Sequence, residues 1–309
     1  MNKKTLKKLR SNILIAKILI FIFKPIYKLA QKLLVWIPKH IRPNEAEVNY
    51  YGHKIYFPKN IGGSILNALF WKKNGFEPEI GYLMNLLAKK NDVFIDVGTN
   101  IGIYSVLVQK SNPYIKTLCI EPVKELVEKS LIFQNANNTT NYEMFEVALS
   151  DSTGETEIFV PALDEFQETT TASLSNTFFY NQQLKGGYRK IKTYRFYDFI
   201  DSLKNPLQGR VLIKIDVEGH ELSVLRGCED YLILNKPLVF LEIEMTRENI
   251  KNYFSLNFHK HYNTYKIFTG FIVKVSENDL MESKSADNFL LMPIKDNLSE
   301  KNIINFYDI

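Results

Sequence analysis

The chain is poor in the residues that build cross-linked or metal-stapled folds. Its 309 residues include two cysteines, Cys119 and Cys228, far apart and without metal-ligand spacing. That excludes a disulfide scaffold and a zinc ribbon, and fits free thiols in a reducing, cytoplasmic compartment. Of five histidines, His40, His53, His259 and His261 lie in no motif, and His220 does. Internal repeats are missing, and no linker separates a second hydrophobic core.

Acid is missing from the beginning of the chain. The first carboxylate is Glu45, after eleven Lys or Arg residues in Met1–Pro43. The net charge of +5 therefore misleads: without those eleven, the rest of the chain carries −6. The apolar run from Ile13 to Phe23 is interrupted by Lys17. It is shorter than the ~20 residues needed to span a bilayer. Lys24 and Pro25 follow where a signal peptide would place small residues. Lys17, Lys24, Lys28 and Lys32 among Leu, Ile, Phe and Trp36 predict a basic amphipathic segment over 1–43. Such a segment suits an anionic, cytoplasmic leaflet. A helix packed on the domain, lysines outward, is the alternative.

Residues 44–309 read as a single α/β domain. "VNYYGHKIYFP" alternates about Gly52, predicting a hairpin, and "FEPEIGYLMNLLAKK" a helix with Pro78 in its first turn. "DVFIDVG", "IKTLCIEP" and "YEMFEVALS" read as strands, separated by helices in "IGIYSVLVQK" and from Val123 to about Asn135. This βαβαβ order implies a doubly wound parallel sheet. Residues 153–195, rich in Thr, Ser, Asn and aromatics, read as a β-rich insertion or substrate-facing loop. The alternation resumes in "RVLIKID", a helix from about Glu221 to Leu234, and "PLVFLEIE". "YKIFTGFIVKV" and "NFLLMPI" read as a final antiparallel pair.

Two places carry chemistry. In "DVGTNIG", Gly98 and Gly102 flank Asn100, so the central glycine of a dinucleotide fingerprint is missing. Asp96, ahead of the turn, repels a pyrophosphate and attracts an ammonium group. Glu121, ending the next strand, is placed to accept from two ribose hydroxyls. Together they fit S-adenosylmethionine better than NAD. A helix N-cap and an exposed strand end are the structural alternatives for these two acids.

The second place is "KIDVEGHE". Lys214 interrupts a strand expected to be apolar, and strand periodicity sets Lys214 and Asp216 on one face. Glu242 and Glu244 share a face of the next strand, near the same end of the sheet, where open α/β sheets bind ligands. Asp216 and His220, then Glu218 and Lys214, are the candidate catalytic residues. His220 has the pKa of a general base. Asp216 or Glu218 would orient it, bind the acceptor, or serve as base if desolvated, while Lys214 neutralises and fixes the carboxylates. A structural ion pair and an acidic helix start account for the same residues without catalysis. Asp216, Glu218 and Glu242 are hard oxygen ligands, but their spacing demands no metal.

"VFIDVGTNIGIYSVLVQK", "IEP", "EVALSDSTGE", "VLIKIDVEGHELSVLRG" and "VFLEIE", with "FEPE" before the first strand, resemble the FkbM family of S-adenosylmethionine-dependent methyltransferases. The resemblance runs from about residue 76 to 292. It implies a Rossmann-like class I methyltransferase fold: a seven-stranded, mostly parallel sheet with helices on both faces and an antiparallel last strand. It also implies O-methyl transfer to a sugar, glycan or polyketide-like hydroxyl. Carried over by position, Asp96, Gly98, Asn100 and Gly102 hold the methionine part of the cofactor and Glu121 the ribose. Ala148 and Asp151 border the adenine. One departure is Tyr197, which stands where the family often has an Asp.

Two other classes compete. Nucleic-acid methylation lacks support, because "DVEG" replaces the Asn/Asp-Pro-Pro-aromatic run and the body is acidic. A non-catalytic, membrane-associated cofactor binder is disfavoured by the intact acids.

Overall fold

The computed structural model describes Phe21 and residues 43–161, 186–244, 246–282, 286–294 and 303–305. The segment expected to be basic and amphipathic falls outside them except for Phe21 and Pro43, and so does the middle of the 153–195 stretch.

The described chain starts with a hairpin, β1 (Ala46–Tyr50) and β2 (His53–Phe57), as the alternation predicts. Tyr51 and Gly52 join the strands at φ of 48° and 89°. Those are the left-handed values a two-residue hairpin turn requires. Next comes α1 (Gly63–Trp71), a helix the sequence reading did not identify. α2 (Pro78–Leu87) follows with Pro78 in its first turn and Ile80, Leu83, Met84 and Leu87 buried, as expected.

The alternating core runs β3 (Val93–Val97), α3 (Ile103–Ser111), β4 (Lys116–Ile120), α4 (Lys124–Ala136) and β5 (Tyr142–Phe145). "YEMFEVALS" is not one strand, because the chain leaves the main sheet after Phe145. Its second half forms β6 (Ala148–Leu149), which joins β7 (Gly154–Pro161) and β8 (Gly186–Tyr194) in a separate three-stranded sheet. Then come α5 (Phe196–Asp201), β9 (Val211–Ile215), α6 (Glu221–Asn235), β10 (Leu238–Glu244) and α7 (Arg247–Phe254). The last described elements are β11 (Tyr262–Phe268), β12 (Phe271–Val275), α8 (Glu277–Glu282), β13 (Ala286–Pro293) and β14 (Ile303–Asn305).

The main sheet has nine strands in the order β14-β12-β11-β13-β10-β9-β3-β4-β5. From β10 to β5 every pairing is parallel. β13 runs antiparallel and is wedged between β10 and β11. This is the class I methyltransferase strand order, with β12 and β14 extending it beyond the expected seven. "YKIFTGFIVKV" is itself the hairpin β11–β12, and "NFLLMPI" forms the expected antiparallel pair with β11 while also pairing with β10 on its other edge.

Strand alternation divides the core between two layers. Phe94, Leu212 and Phe240 pack with the β1–β2 hairpin, α1, α2 and α3. Val93, Ile95, Ile213, Ile215 and Leu241 pack on the other face with α5, α6 and α7. Asp96 pairs with Lys214, and Lys214 with Phe240, across the sheet. The ionisable pair therefore lies on the hairpin side, among the apolar side chains of that layer.

Candidate active site

A cleft opens where β3, β4 and β9 end. It is lined by Gly98, Asn100, Glu121, Leu126, Ala148 and Ile158, and by Asp216, Glu218 and His220. The space between these side chains is about 630 Å³ with the adjoining open solvent included.

The glycine turn sets the floor. Gly98 has φ of 82°, and a Cβ there would lie 1.8 Å from the Asp216 carbonyl oxygen. Only glycine lets the β3 turn pass this close to the end of β9. Asn100, also left-handed with φ of 54°, donates its backbone N–H to Glu121 Oε2 at 2.9 Å. Glu121 Oε1 accepts from the Val123 N–H at 3.0 Å. These bonds fix the carboxylate at the strand end while leaving it lone pairs to accept hydroxyls. Burial pushes its pKa up to about 7, against those two hydrogen bonds.

The cleft fits the cofactor that the turn and its acids imply. Glu121 lines it with a carboxylate, and the side chains of Leu126, Val147, Ala148 and Ile158 give it an apolar part. Three expected cofactor residues lie elsewhere. Asp96 is fully buried beneath the turn, accepting from Ser105 Oγ at 2.6 Å. Gly102 caps α3 at φ of 85°. Asp151 is exposed, its Oδ1 accepting from Ser150 Oγ at 3.3 Å.

The charged strand end is built around one lysine. Lys214 is 4% exposed, and its Nζ donates to Asp216 Oδ2 at 2.7 Å. The same ammonium lies 5.0 Å from the centre of the Tyr104 ring, a cation–π contact. Burial lowers the lysine's pKa, but the carboxylates of Asp216, Asp96 and Glu77 overcome this and hold it above its ordinary value. The ammonium stays charged without solvent because acids surround it.

Glu218 lines the cleft, and Glu242 on β10 lies near enough for its charge to act on it. Burial, then the neighbouring charges of Asp216 and Glu242, push Glu218 up to about 8. Glu242 is likewise raised to about 8 by burial and by Asp216 and Glu77. Glu218 reaches its place through a left-handed backbone, φ of 54°, followed by Gly219. Glu221 accepts from the Gly219 N–H at 2.8 Å and so fastens this turn to α6.

His220 lines the cleft, but its partner comes from the other side: Nε2 lies 2.9 Å from Ser150 Oγ. Burial lowers its pKa, leaving a neutral ring near pH 7. The contact is permitted by Gly227, where a Cβ would meet the Ser150 carbonyl oxygen at 1.9 Å. Tyr197 faces away, its ring 5.9 Å from that of Tyr231. Cys119 and Cys228 are buried free thiols. Among the described residues no three His, Cys, Asp or Glu are placed to hold a metal ion, and no helix is long and apolar enough to cross a membrane.

Three contributors were assigned no role from sequence: Tyr104, Gly227 and Glu77. Glu77 had one signal, its place in "FEPE" immediately before a proline-started helix.

Residues 96–267 match the family described as the methyltransferase FkbM domain, more than half of the chain. No curated protein matches. Among solved structures the chain is similar to the methyltransferase FkbM from Methylobacillus flagellatus KT, with 16% identity and a TM-score of 0.38. That match covers 65% of this chain and 43% of the other, so this chain spans less than half of that protein's length. It is also similar to the O-methyltransferase TomG from Streptomyces achromogenes, solved with S-adenosylmethionine, at 11% identity, TM-score 0.39 and coverages of 70% and 80%. An O-methyltransferase from Bacillus cereus solved with S-adenosylhomocysteine is 11% identical, with TM-score 0.38 and coverages of 72% and 84%. With its family-matched segment folded into the class I strand order, this chain belongs to the FkbM family of S-adenosylmethionine-dependent methyltransferases.

Proposed function

We propose that the protein methylates a hydroxyl group of a sugar, glycan or glycolipid. The observation carrying this reading is one cleft that joins the Glu121 carboxylate to two half-buried acids, Asp216 and Glu218. S-adenosylmethionine, when bound, supplies an electrophilic methyl group on a sulfonium.

The chain's own task is to align the acceptor and take its proton. Glu218 is the proton acceptor this reading favours, because its pKa of about 8 lies close to working pH. With the cofactor bound, Glu218 would take the proton of the acceptor hydroxyl as its oxygen receives the methyl group. Asp216, braced by Lys214, orients the acceptor hydroxyl and balances the positive charge of the reacting centre. Neutral His220 donates or accepts one further hydrogen bond at the cleft wall. Gly98, Asn100 and Glu121 hold the cofactor, with Ala148 beside its base. Asp96, Gly102 and Asp151 support the turn, the helix start and the Ser150 loop.

The acceptor pocket draws on residues 153–195 in this reading, and residues 1–43 bring the enzyme to an anionic membrane where a glycolipid or a polysaccharide precursor resides. Titration calorimetry with S-adenosylmethionine tests the first link, and absence of binding by folded protein ends the proposal. Transfer of labelled methyl to a panel of sugar nucleotides and glycolipids tests the second. Removing residues 1–43 should release the protein from anionic vesicles.

A further inference from the structure

The small sheet of β6, β7 and β8 supplies part of the cleft wall through Ala148, Leu149 and Ile158. One end of β8 is fastened to β6: Ala148 pairs with Thr193, and the Ser150 N–H donates to the Tyr194 carbonyl at 2.9 Å. Earlier on the same strand, Arg189 makes a second attachment. Its Nη1 donates to both carboxylate oxygens of Glu125, at 2.6 and 2.5 Å, in the first turn of α4. Glu125 stands next to Leu126, which lines the cleft. Among the described residues this is the only ion pair between the small sheet and the rest of the domain.

Register separates Arg189 from the other charges of its strand. Residues directly opposite each other in an antiparallel pair share a face. Ile158 is opposite Arg189 and Thr156 opposite Ile191, and Ile158 and Val160 are buried in the layer that holds Val123 and Leu126. The other face sets Glu155 opposite Lys192, Glu157 opposite Lys190, and Phe159 against the exposed Tyr188. Arg189 is thus the one basic residue of β8 on the face that carries Ile158. Its hydrogen bond holds the Glu125 carboxyl below the usual value.

We propose that Arg189 and Glu125 are positioning residues of the cofactor cleft: their ion pair clasps β8 to α4 and holds Ile158 in the wall that Leu126 also lines. The bonds to β6 are the fixed edge, and the clasp sets how closely the rest of the hairpin lies on α4. The two side chains are 47% and 38% exposed, so the pair adds little to global stability and salt weakens it. What it governs is the local position of one strand pair. The effect on cofactor affinity rests on the reading of the cleft given above; the clasp itself does not.

The test measures S-adenosylmethionine affinity by calorimetry, and hydrogen exchange of the β7 amides without cofactor, both on the full chain. Arg189→Gln and Glu125→Gln should each weaken affinity about threefold, and the double variant no more than either single change. The sign is decisive. S-adenosylmethionine carries a net positive charge, so an effect of charge alone would tighten binding in Arg189→Gln. Each variant should also speed exchange at Ile158 and Phe159 about threefold, as the hairpin opens from α4 more often. Salt at about 0.5 M should narrow the gap between wild type and the double variant. Tighter or unchanged binding in Arg189→Gln, additive losses in the double variant, a gap that salt leaves unchanged, or exchange equal to wild type overturns the proposal. Failure of the wild type to bind the cofactor would instead count against the function proposed above, and the exchange result would then decide the clasp.

Discussion

Lys214 Nζ donates to Asp216 Oδ2 at 2.7 Å, two residues along the same face where β9 ends. The lysine side chain is 5% exposed and the aspartate 25%, so the pair is dry at one end and wet at the other. Such an asymmetric pair anchors a charge at a cleft without removing it from a ligand.

Breaking the pair from the lysine side leaves several buried carboxylates without their cation. Lys214→Met should cost roughly 3 kcal/mol, allowing for the partial exposure of Asp216. Asp216→Asn keeps the hydrogen-bonding shape and removes the charge. It should reduce methyl transfer by about a hundredfold or more, while cofactor affinity stays within a few-fold of wild type. Chemical denaturation checks the first; labelled transfer and calorimetry check the second. Unchanged turnover in Asp216→Asn would remove that residue from the mechanism.

Stability should fall as pH rises. Glu121, at about 7, and Glu218 and Glu242, at about 8, hold protons in the folded state that the unfolded chain releases near pH 4.5. Their contribution is complete below that value and disappears as pH climbs through 7 to 8. Thermal melting between pH 5 and 9 should show a declining Tm, and Glu218→Gln or Glu242→Gln should flatten the decline. A Tm that rises across this range contradicts the burial of these groups.

Glu121→Gln should weaken S-adenosylmethionine binding about tenfold, the loss expected when a charged acceptor becomes neutral. The amide also puts a donor where one backbone N–H now donates, at Asn100 or Val123. Calorimetry decides it, and an undiminished affinity would place the ribose elsewhere.

At Gly227, alanine cannot be accommodated without moving the Ser150 backbone, 1.9 Å from the added carbon. Gly227→Ala should destabilise the fold by about 1–3 kcal/mol and separate His220 from Ser150. The histidine's titration, followed by NMR, should then move toward its ordinary value. An unaltered titration with intact stability would show that helix and loop slide apart freely.

Much of this architecture could be read from the residues because its signals are local. Apolar runs ending in "DVG" and "KID", each followed by a helical period, place β3 and β9 and the turns after them. The hairpin is announced by alternation around Gly52. Other features depend on partners distant in sequence. "YEMFEVALS" reads as one strand, but Ala148 pairs with Thr193 and pulls the second half into another sheet. α1 escapes because its nine residues are apolar on most sides and have no side-chain cap.

The candidate site divides in the same way. Residue type and strand position identify Gly98, Glu121, Lys214 and Asp216 as a group at one end of the sheet. They cannot reveal that Asp96 lies under the turn against Ser105, or that His220 meets Ser150 across 70 residues of chain. Glu77 shows this most clearly: a cap position predicts a bond to its own helix, and only the packing of α2 on α3 turns the side chain toward Tyr104.

β13 has an effect on assembly during synthesis. It is made after both of its neighbours, yet it is the strand that joins them, and it holds Glu242 opposite Asn288. Until it emerges, β10 is an open edge bearing one of the site's carboxylates, and β11–β12 is a hairpin with no sheet to join. A chain interrupted before Ala286 would thus own every residue of the cleft and still lack the stitch that closes the sheet beside it, a state prone to pair with other strands.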